Sequence, residues 1–190
     1  MNMKNVLIVS GHTNLTASVA NKTILDTLHA RLPEAEIVRL DELCPDFKID
    51  VEAEQERLLR ADIIVLQFPV FWYSAPSLLE RWMEETFRHG FSHGSTGDKL
   101  KGKKLVLSFT TGAPEAMYSR EGAMGYTIDE FLPCYKATCR LCQMEFSGYV
   151  YTGGVSYGNR TSPGLIEQQK SVSEKHALRL IELLEKISHR

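Results

Sequence analysis

Residues 63–76 read Ile-Ile-Val-Leu-Gln-Phe-Pro-Val-Phe-Trp-Tyr-Ser-Ala-Pro. An unbroken aliphatic run, three of its four residues β-branched, describes a strand buried on both faces, as strands of a parallel sheet are. The run ends at Gln67-Phe68-Pro69. From Pro76 onward Leu78, Leu79, Trp82, Met83 and Thr86 fall on one face of a helix. The stretch is therefore a strand, a loop and a helix in succession.

The same rhythm extends in both directions. Upstream, Val6-Leu7-Ile8-Val9 predicts a buried strand, followed at once by Gly11. Ala20, Ile24, Leu25, Leu28 and Leu32 then recur at helical spacing until Pro33 stops them. A second strand fits Glu36 to Leu40, a polar loop runs from Pro45 to Asp50, and Val51 to Arg60 reads as a short helix. Downstream, a basic turn from Lys99 to Lys104 leads to a strand over Leu105 to Phe109. A Gly-rich loop over Gly112 to Gly125, a helix from Thr127 to about Cys142 and a strand from Met144 to Tyr151 follow. Ala177, Leu180, Ile181, Leu184 and Ile187 mark the apolar stripe of a last helix. Strands alternating with helices imply βαβ crossovers, hence an α/β fold: a doubly wound, five-stranded parallel sheet in the order 2-1-3-4-5, with helices on both faces.

Composition narrows the function classes. The 190 residues, 43% hydrophobic and 24% charged, suit a single domain with a sizeable core, and no linker or repeat divides residues 1–190. A net charge of −2 offers no basic footprint for nucleic acid. No stretch approaches the roughly 18 apolar residues of a membrane span, and Met1 to Ser10 lacks a basic leader and cleavage site. The expectation is a cytoplasmic protein with its four cysteines reduced.

In a doubly wound sheet, ligands bind beyond the carboxyl ends of the strands. Three such ends carry unusual loops. Gly11-His12-Thr13-Asn14-Leu15-Thr16-Ala17-Ser18 places hydroxyls, an imidazole and a glycine before a helix start, which suits a phosphate. It reads equally well as a plain N-cap by Thr16 or Ser18. Neither a Walker loop nor a G-x-G-x-x-G fingerprint is present, which argues against an NTPase or a Rossmann dinucleotide fold. Pro69 to Pro76 sets three consecutive aromatics between two prolines: a rigid wall for a flat ligand, or a cap on the core. Thr110 to Ser119 is small and flexible where backbone must approach something closely. Together the loops describe a flavin mononucleotide site.

On three segments the chain resembles the flavodoxin-like NAD(P)H:quinone oxidoreductases, the family of mammalian DT-diaphorase and the ancillary reductases of bacterial potassium-efflux systems. They are LIVSGHTNLTASVAN (7–21), ADIIVLQFPVFWYSAPSLLERWMEETFRHGFSHG (61–94) and LSFTTGAPEAMYSREG (107–122). The resemblance implies a flavodoxin-like fold binding FMN, with FAD as the alternative, and a ping-pong hydride transfer from NAD(P)H to a quinone-like acceptor. The Tyr151 to Gly164 loop, rich in Gly and Ser with Arg160, either contacts the adenine of an FAD or merely covers the sheet, and the short chain favours FMN. The resemblance also implies that His12, Ser18, Val19, Ala20 and Asn21 hold the phosphate end. Pro69, Val70, Phe71, Trp72 and Tyr73 would line the ring, and Thr110, Thr111, Gly112 and Ala113 would close over its pyrimidine side. Tyr118 falls on the family's active-site tyrosine. A homodimer is implied too, with the Trp72 to Phe91 region at the interface. Where the mammalian branch has a histidine six residues after its tyrosine, this chain has Met124, which cannot relay a proton. His93 stands where relatives often carry an aromatic, and is read either as a proton donor to the reduced product or as a solvated surface histidine.

Three further readings were weighed on the residues. Cys134-x4-Cys139-x2-Cys142 imitates an iron–sulfur run, yet it lies in a helical segment far from Cys44, and small buried thiols are the expected outcome. His89 and His93 lack a third ligand, so no metal is expected. A one-electron flavodoxin carrier, or a regulatory subunit of a potassium-efflux transporter, is the alternative function; carriers tend to be strongly acidic, which this chain is not.

Overall fold

In the computed structural model, which describes residues 4–189, the run at residues 63–66 lies in the middle strand of the sheet. Met1 to Met3 of the opening run lie outside that range. The strands β1 (Val6–Ser10), β2 (Glu36–Arg39), β3 (Ile63–Pro69), β4 (Lys104–Thr110) and β5 (Glu145–Thr152) are parallel throughout, in the order β2-β1-β3-β4-β5. The helices are α1 (Val19–Arg31), α2 (Leu40–Leu43), α3 (Val51–Arg60), α4 (Ser77–Thr86), α5 (Pro133–Leu141) and α6 (Pro163–Ser188). β1, β3 and β4 are buried at every position. That burial is why their sequences run apolar without alternation.

Two cores follow from the pleat. Ile8, Val65 and Val106 pack with Ile24 and Leu28 of α1 and Leu180 and Leu184 of α6. Val9, Leu66, Leu107 and Phe109 pack on the opposite face with Leu58 of α3, Leu79 and Trp82 of α4, and Tyr135 of α5. Each such side chain contributes about 1.5–3 kcal/mol on burial. Trp82 is fully buried, and its Nε1–H donates to Glu54 Oε2 at 2.9 Å. Arg57 Nη1 donates to the other Glu54 oxygen at 2.8 Å, so the buried carboxylate is paired on both sides.

Near the carboxyl ends the apolar pattern on the α1/α6 face gives way to a polar row. Ser10, Gln67 and Ser108 are register partners across β1, β3 and β4. Gly11, the next residue, must be glycine: a Cβ there would sit 2.5 Å from Leu79 Cβ.

Three boundaries differ from the sequence reading. The helix expected over Thr127 to Cys142 is two pieces, a 3-10 turn at Ile128–Phe131 capped by Thr127 and Glu130, then α5. Pro133 causes the break, since it has no N–H to donate to the preceding turn and instead takes the first position of α5. The strand expected to reach Leu40 stops at Arg39, because Leu40 begins α2. The last helix begins at Pro163, fourteen residues before the stripe noted at Ala177, with Ser162 Oγ accepting from the Leu165 amide.

Candidate functional site

The carboxyl ends of β1, β3, β4 and β5 open into a cleft of about 250 Å³. On its β1 side the first loop is held from several directions. The Gly11 amide donates to Gln67 O at 2.9 Å, and the Leu15 amide to Asp41 Oδ2 at 3.0 Å. The Asn14 amide donates to His12 Nδ1 at 3.0 Å. His12 is 2% exposed, and burial pulls its pKa down to about 4, Asp41 opposing the shift and Arg160 reinforcing it. The ring is neutral at pH 7, its proton on Nε2 because Nδ1 accepts. Ser18 Oγ caps α1 by accepting from the Asn21 amide at 3.1 Å. The amides of Val19 and Ala20 make no hydrogen bond among the described residues. Free amides at the start of a thirteen-residue helix carry the positive end of its dipole. The capping role considered for Ser18 therefore coexists with two free amides, while Thr16 donates to Asn14 Oδ1 instead.

Asn21 does not point outward. Its Nδ2 donates to Thr110 Oγ1 at 3.2 Å and its Oδ1 accepts from Gln67 Nε2 at 2.7 Å, so it ties α1 to β3 and β4 beneath the cleft. The opposing Gln67 Oε1 is buried with no partner.

The aromatic loop forms a tight turn in which Phe71 and Ser74 exchange both backbone hydrogen bonds at 3.0 Å. Its two central residues, Trp72 and Tyr73, have φ of 50° and 66°. Glycine and asparagine are usual in such turns, and a bulky L residue costs about 1–2 kcal/mol in this region. Backbone strain of this kind gathers at ligand sites. The Trp72 and Tyr73 amides make no hydrogen bond among the described residues, and the Trp72 side chain is 95% exposed. Pro69, Val70 and Phe71 line the cleft itself, Phe71 lying edge-on to the His12 ring at 6.0 Å.

On the β4 side Thr110, Thr111 and Gly112 line the cleft. Thr111 Oγ1 donates to Ala113 O at 2.8 Å, which leaves Tyr151 OH as the donor in their 2.9 Å contact. The Gly112 and Ala113 amides make no hydrogen bond among the described residues. Tyr118 lines a neighbouring aromatic cavity with Phe68, Tyr73, Phe109, Phe131 and Tyr135, and Val70 borders both cavities. Its ring stands edge-on to Phe131 and Tyr151, each at 6.0 Å. Burial raises the phenol's pKa above its ordinary value, the Thr111 contact opposing and Tyr73 adding. The hydroxyl is a proton-bearing donor at neutral pH.

His93 lines neither cavity. Its Nδ1 lies 2.9 Å from Ser92 Oγ, and its ring stands edge-on to His89 at 5.6 Å. The fourth wall is Val155, Ser156, Tyr157 and Arg160, from the loop that the sequence left open between an adenine contact and a cover for the sheet, with Gln169 of α6, which the sequence reading did not single out. Gly154 donates to Ala113 O at 2.9 Å and Val155 to Thr111 O at 3.1 Å, which zips this connection to the β4 loop. The signal available was the rule already applied to the other loops, since this segment also follows the carboxyl end of a strand.

Residues 4–177 match the family described by its flavodoxin-like fold. The chain belongs to that family. Within it, the chain is 40% identical to an uncharacterized NAD(P)H oxidoreductase of Bacillus subtilis (strain 168) over 76% of this chain and 82% of the relative. It is 43% identical to the glutathione-regulated potassium-efflux system ancillary protein of Enterobacter sp. (strain 638), over 74% of this chain and 78% of that one. General stress protein 14 of Treponema denticola, solved in complex with FMN, superposes with a TM-score of 0.84 at 29% identity, covering 95% of this chain and 99% of that one.

Proposed function

We propose that the protein is an FMN-dependent NAD(P)H oxidoreductase that passes a hydride to quinone-like acceptors. One observation carries the reading: His12, Ala20 and Gly112, which line the cleft, and Val19, Ala113, Trp72 and Tyr73, on the loops that border it, carry donors unpaired among the described residues on loops that are otherwise closely hydrogen-bonded. The donors are the Val19 and Ala20 amides, the His12 Nε2–H, and the amides of Gly112, Ala113, Trp72 and Tyr73. A phosphate at the helix start and a flat ring rich in heteroatoms beside the aromatic loop are the chemistry such a donor set fits. FMN accords with the binding partner of the Treponema denticola protein, and NAD(P)H with the name of the Bacillus subtilis relative.

Bound there, FMN supplies a ring that accepts a hydride and hands it on. The chain's own groups do the rest. The prolines and the strained turn hold the Trp72 and Tyr73 amides at fixed positions toward the ring. The Tyr118 hydroxyl, in the neighbouring cavity that Val70 shares with the cleft, keeps its proton and would be the donor available to negative charge on a bound ring. Pro69 to Phe71 exclude water from one side. His93, outside the clefts of its own chain, is proposed as a proton donor to the product of a partner subunit. The homodimer this requires is proposed on the exposed Trp72 beside the cleft.

The test is a visible spectrum of the purified protein, flavin titration, and turnover with NAD(P)H and menadione. Yellow protein with released FMN and rapid two-electron turnover is expected. A colourless protein that refuses added flavin overturns the proposal.

A further inference from the structure

We propose that Arg160 is the phosphate-recognition residue of the cleft and makes the protein select a phosphomonoester flavin over the unphosphorylated one. The assignment rests on the flavin reading above and concerns a residue outside the three loops that suggested it.

Arg160 is the one formally charged side chain among the residues lining the cleft, and it forms no ion pair among the described residues. Its Nε is buried without a hydrogen-bond partner among the described residues. A donor left in that state loses hydration without compensation, and an anion accepting from it would supply the partner. The group is not loose. It stacks over the Tyr157 ring at 3.9 Å, and its loop is pinned by Asn159 Nδ2 donating to Gly154 O at 2.9 Å. Gln169, only 4% exposed, donates from Nε2 to Ser156 O at 3.1 Å, while its Oε1, in the same cleft, has no partner. An acceptor left open beside a cation calls for a ligand bearing both hydroxyls and negative charge, as a sugar-alcohol phosphate does.

The opposite wall agrees. Arg160 lies near enough to His12 to disfavour its protonation, which leaves His12 neutral with a free Nε2–H. The start of α1 adds about half a positive charge. One full charge and one half charge, with neutral donors around them, match the roughly −1.5 to −2 of a phosphomonoester at pH 7.

Flavin-loaded protein is diluted and the released flavin read by its fluorescence, once with FMN and once with riboflavin. Arg160→Ala is expected to weaken FMN by about 10- to 150-fold, the range of a charge-assisted hydrogen bond. Riboflavin affinity stays within about twofold, which also reports an intact fold. Arg160→Lys, which keeps the charge without the planar fork, falls between. Tyr157→Leu weakens FMN less than Arg160→Ala and leaves riboflavin unchanged. Equal losses on both flavins overturn the assignment and make Arg160 structural. An unchanged FMN affinity with a raised KM for NADPH overturns it in favour of a nucleotide contact. A parent protein that binds neither flavin overturns this assignment and the flavin reading together; one that binds both equally overturns this assignment alone.

Discussion

His176 should make the fold lose stability in mild acid by a predictable amount. It lies on α6 with no exposed surface, Nε2 2.8 Å from Ser108 Oγ and Nδ1 2.9 Å from Thr152 Oγ1. Burial, helped by the Arg179 charge, lowers its pKa from 6.5 to about 3. The unfolded chain accepts a proton on this ring below its ordinary pKa, whereas the folded chain refuses it until near pH 3. Stability is therefore fully present above pH 6.5 and drains as the pH falls toward 3. At 1.36 kcal/mol per pKa unit, the 1.5 units between 6.5 and pH 5 correspond to about 2 kcal/mol. In a chain of this length that is about 4–8 °C in Tm. Thermal melts of the parent and of His176→Gln, compared at pH 8 and pH 5, isolate the effect. Glutamine keeps polar groups near both hydroxyls without titrating, and His12 acts alike in both proteins and cancels. The parent should lose about 2 kcal/mol more than the variant. Parallel losses, or a His176 ring resonance titrating near 6.5, would refute the reasoning.

Asn21→Leu should lower stability by about 1–3 kcal/mol in urea, because Gln67 Nε2 and Thr110 Oγ1 lose their buried partner, and flavin release should accelerate with it. Gly11→Ala should cost about 1–3 kcal/mol by thermal melting, since the new methyl meets Leu79 Cβ at 2.5 Å. Tyr118→Phe should leave flavin affinity within a few-fold and lower kcat by about 10²-fold, the smaller end of what one preorganised donor contributes. A kcat unchanged by that substitution removes the hydroxyl from the reaction. A His93→Phe protein whose pH–rate profile matches the parent removes His93 from the proton path.

Local pattern carried most of the fold, because fully buried strands and two-faced helices write their burial directly into residue order. Val6 to Val9 and Ile63 to Leu66 had to be central strands of a covered sheet, and Val51 to Arg60 forms a helix with the expected bounds. Boundaries failed where a local effect outweighed the pattern: Pro133 cut one helix, and the early part of α6, mostly exposed, carried too few apolar residues to announce itself. The loops at residues 11–21, 69–73 and 110–113, which line or border the candidate cleft, stood out in the sequence because their composition is unusual for connections. Arg160 was legible only as one of two readings of its Gly- and Ser-rich loop, and Gln169 not at all, since a glutamine in a helix looks like any solvated residue.

The sequence by itself thus determined the architecture and the rim on which the unusual loops gather, since these depend on which residues avoid water. Only the tertiary structure decided that His12 is neutral, that Asn21 braces the cleft from below, that Trp72 and Tyr73 sit in a strained turn, and that Arg160 lacks a counterion. Each of those depends on partners far apart in the chain, and electrostatics and hydrogen bonding act through distances that residue order does not record.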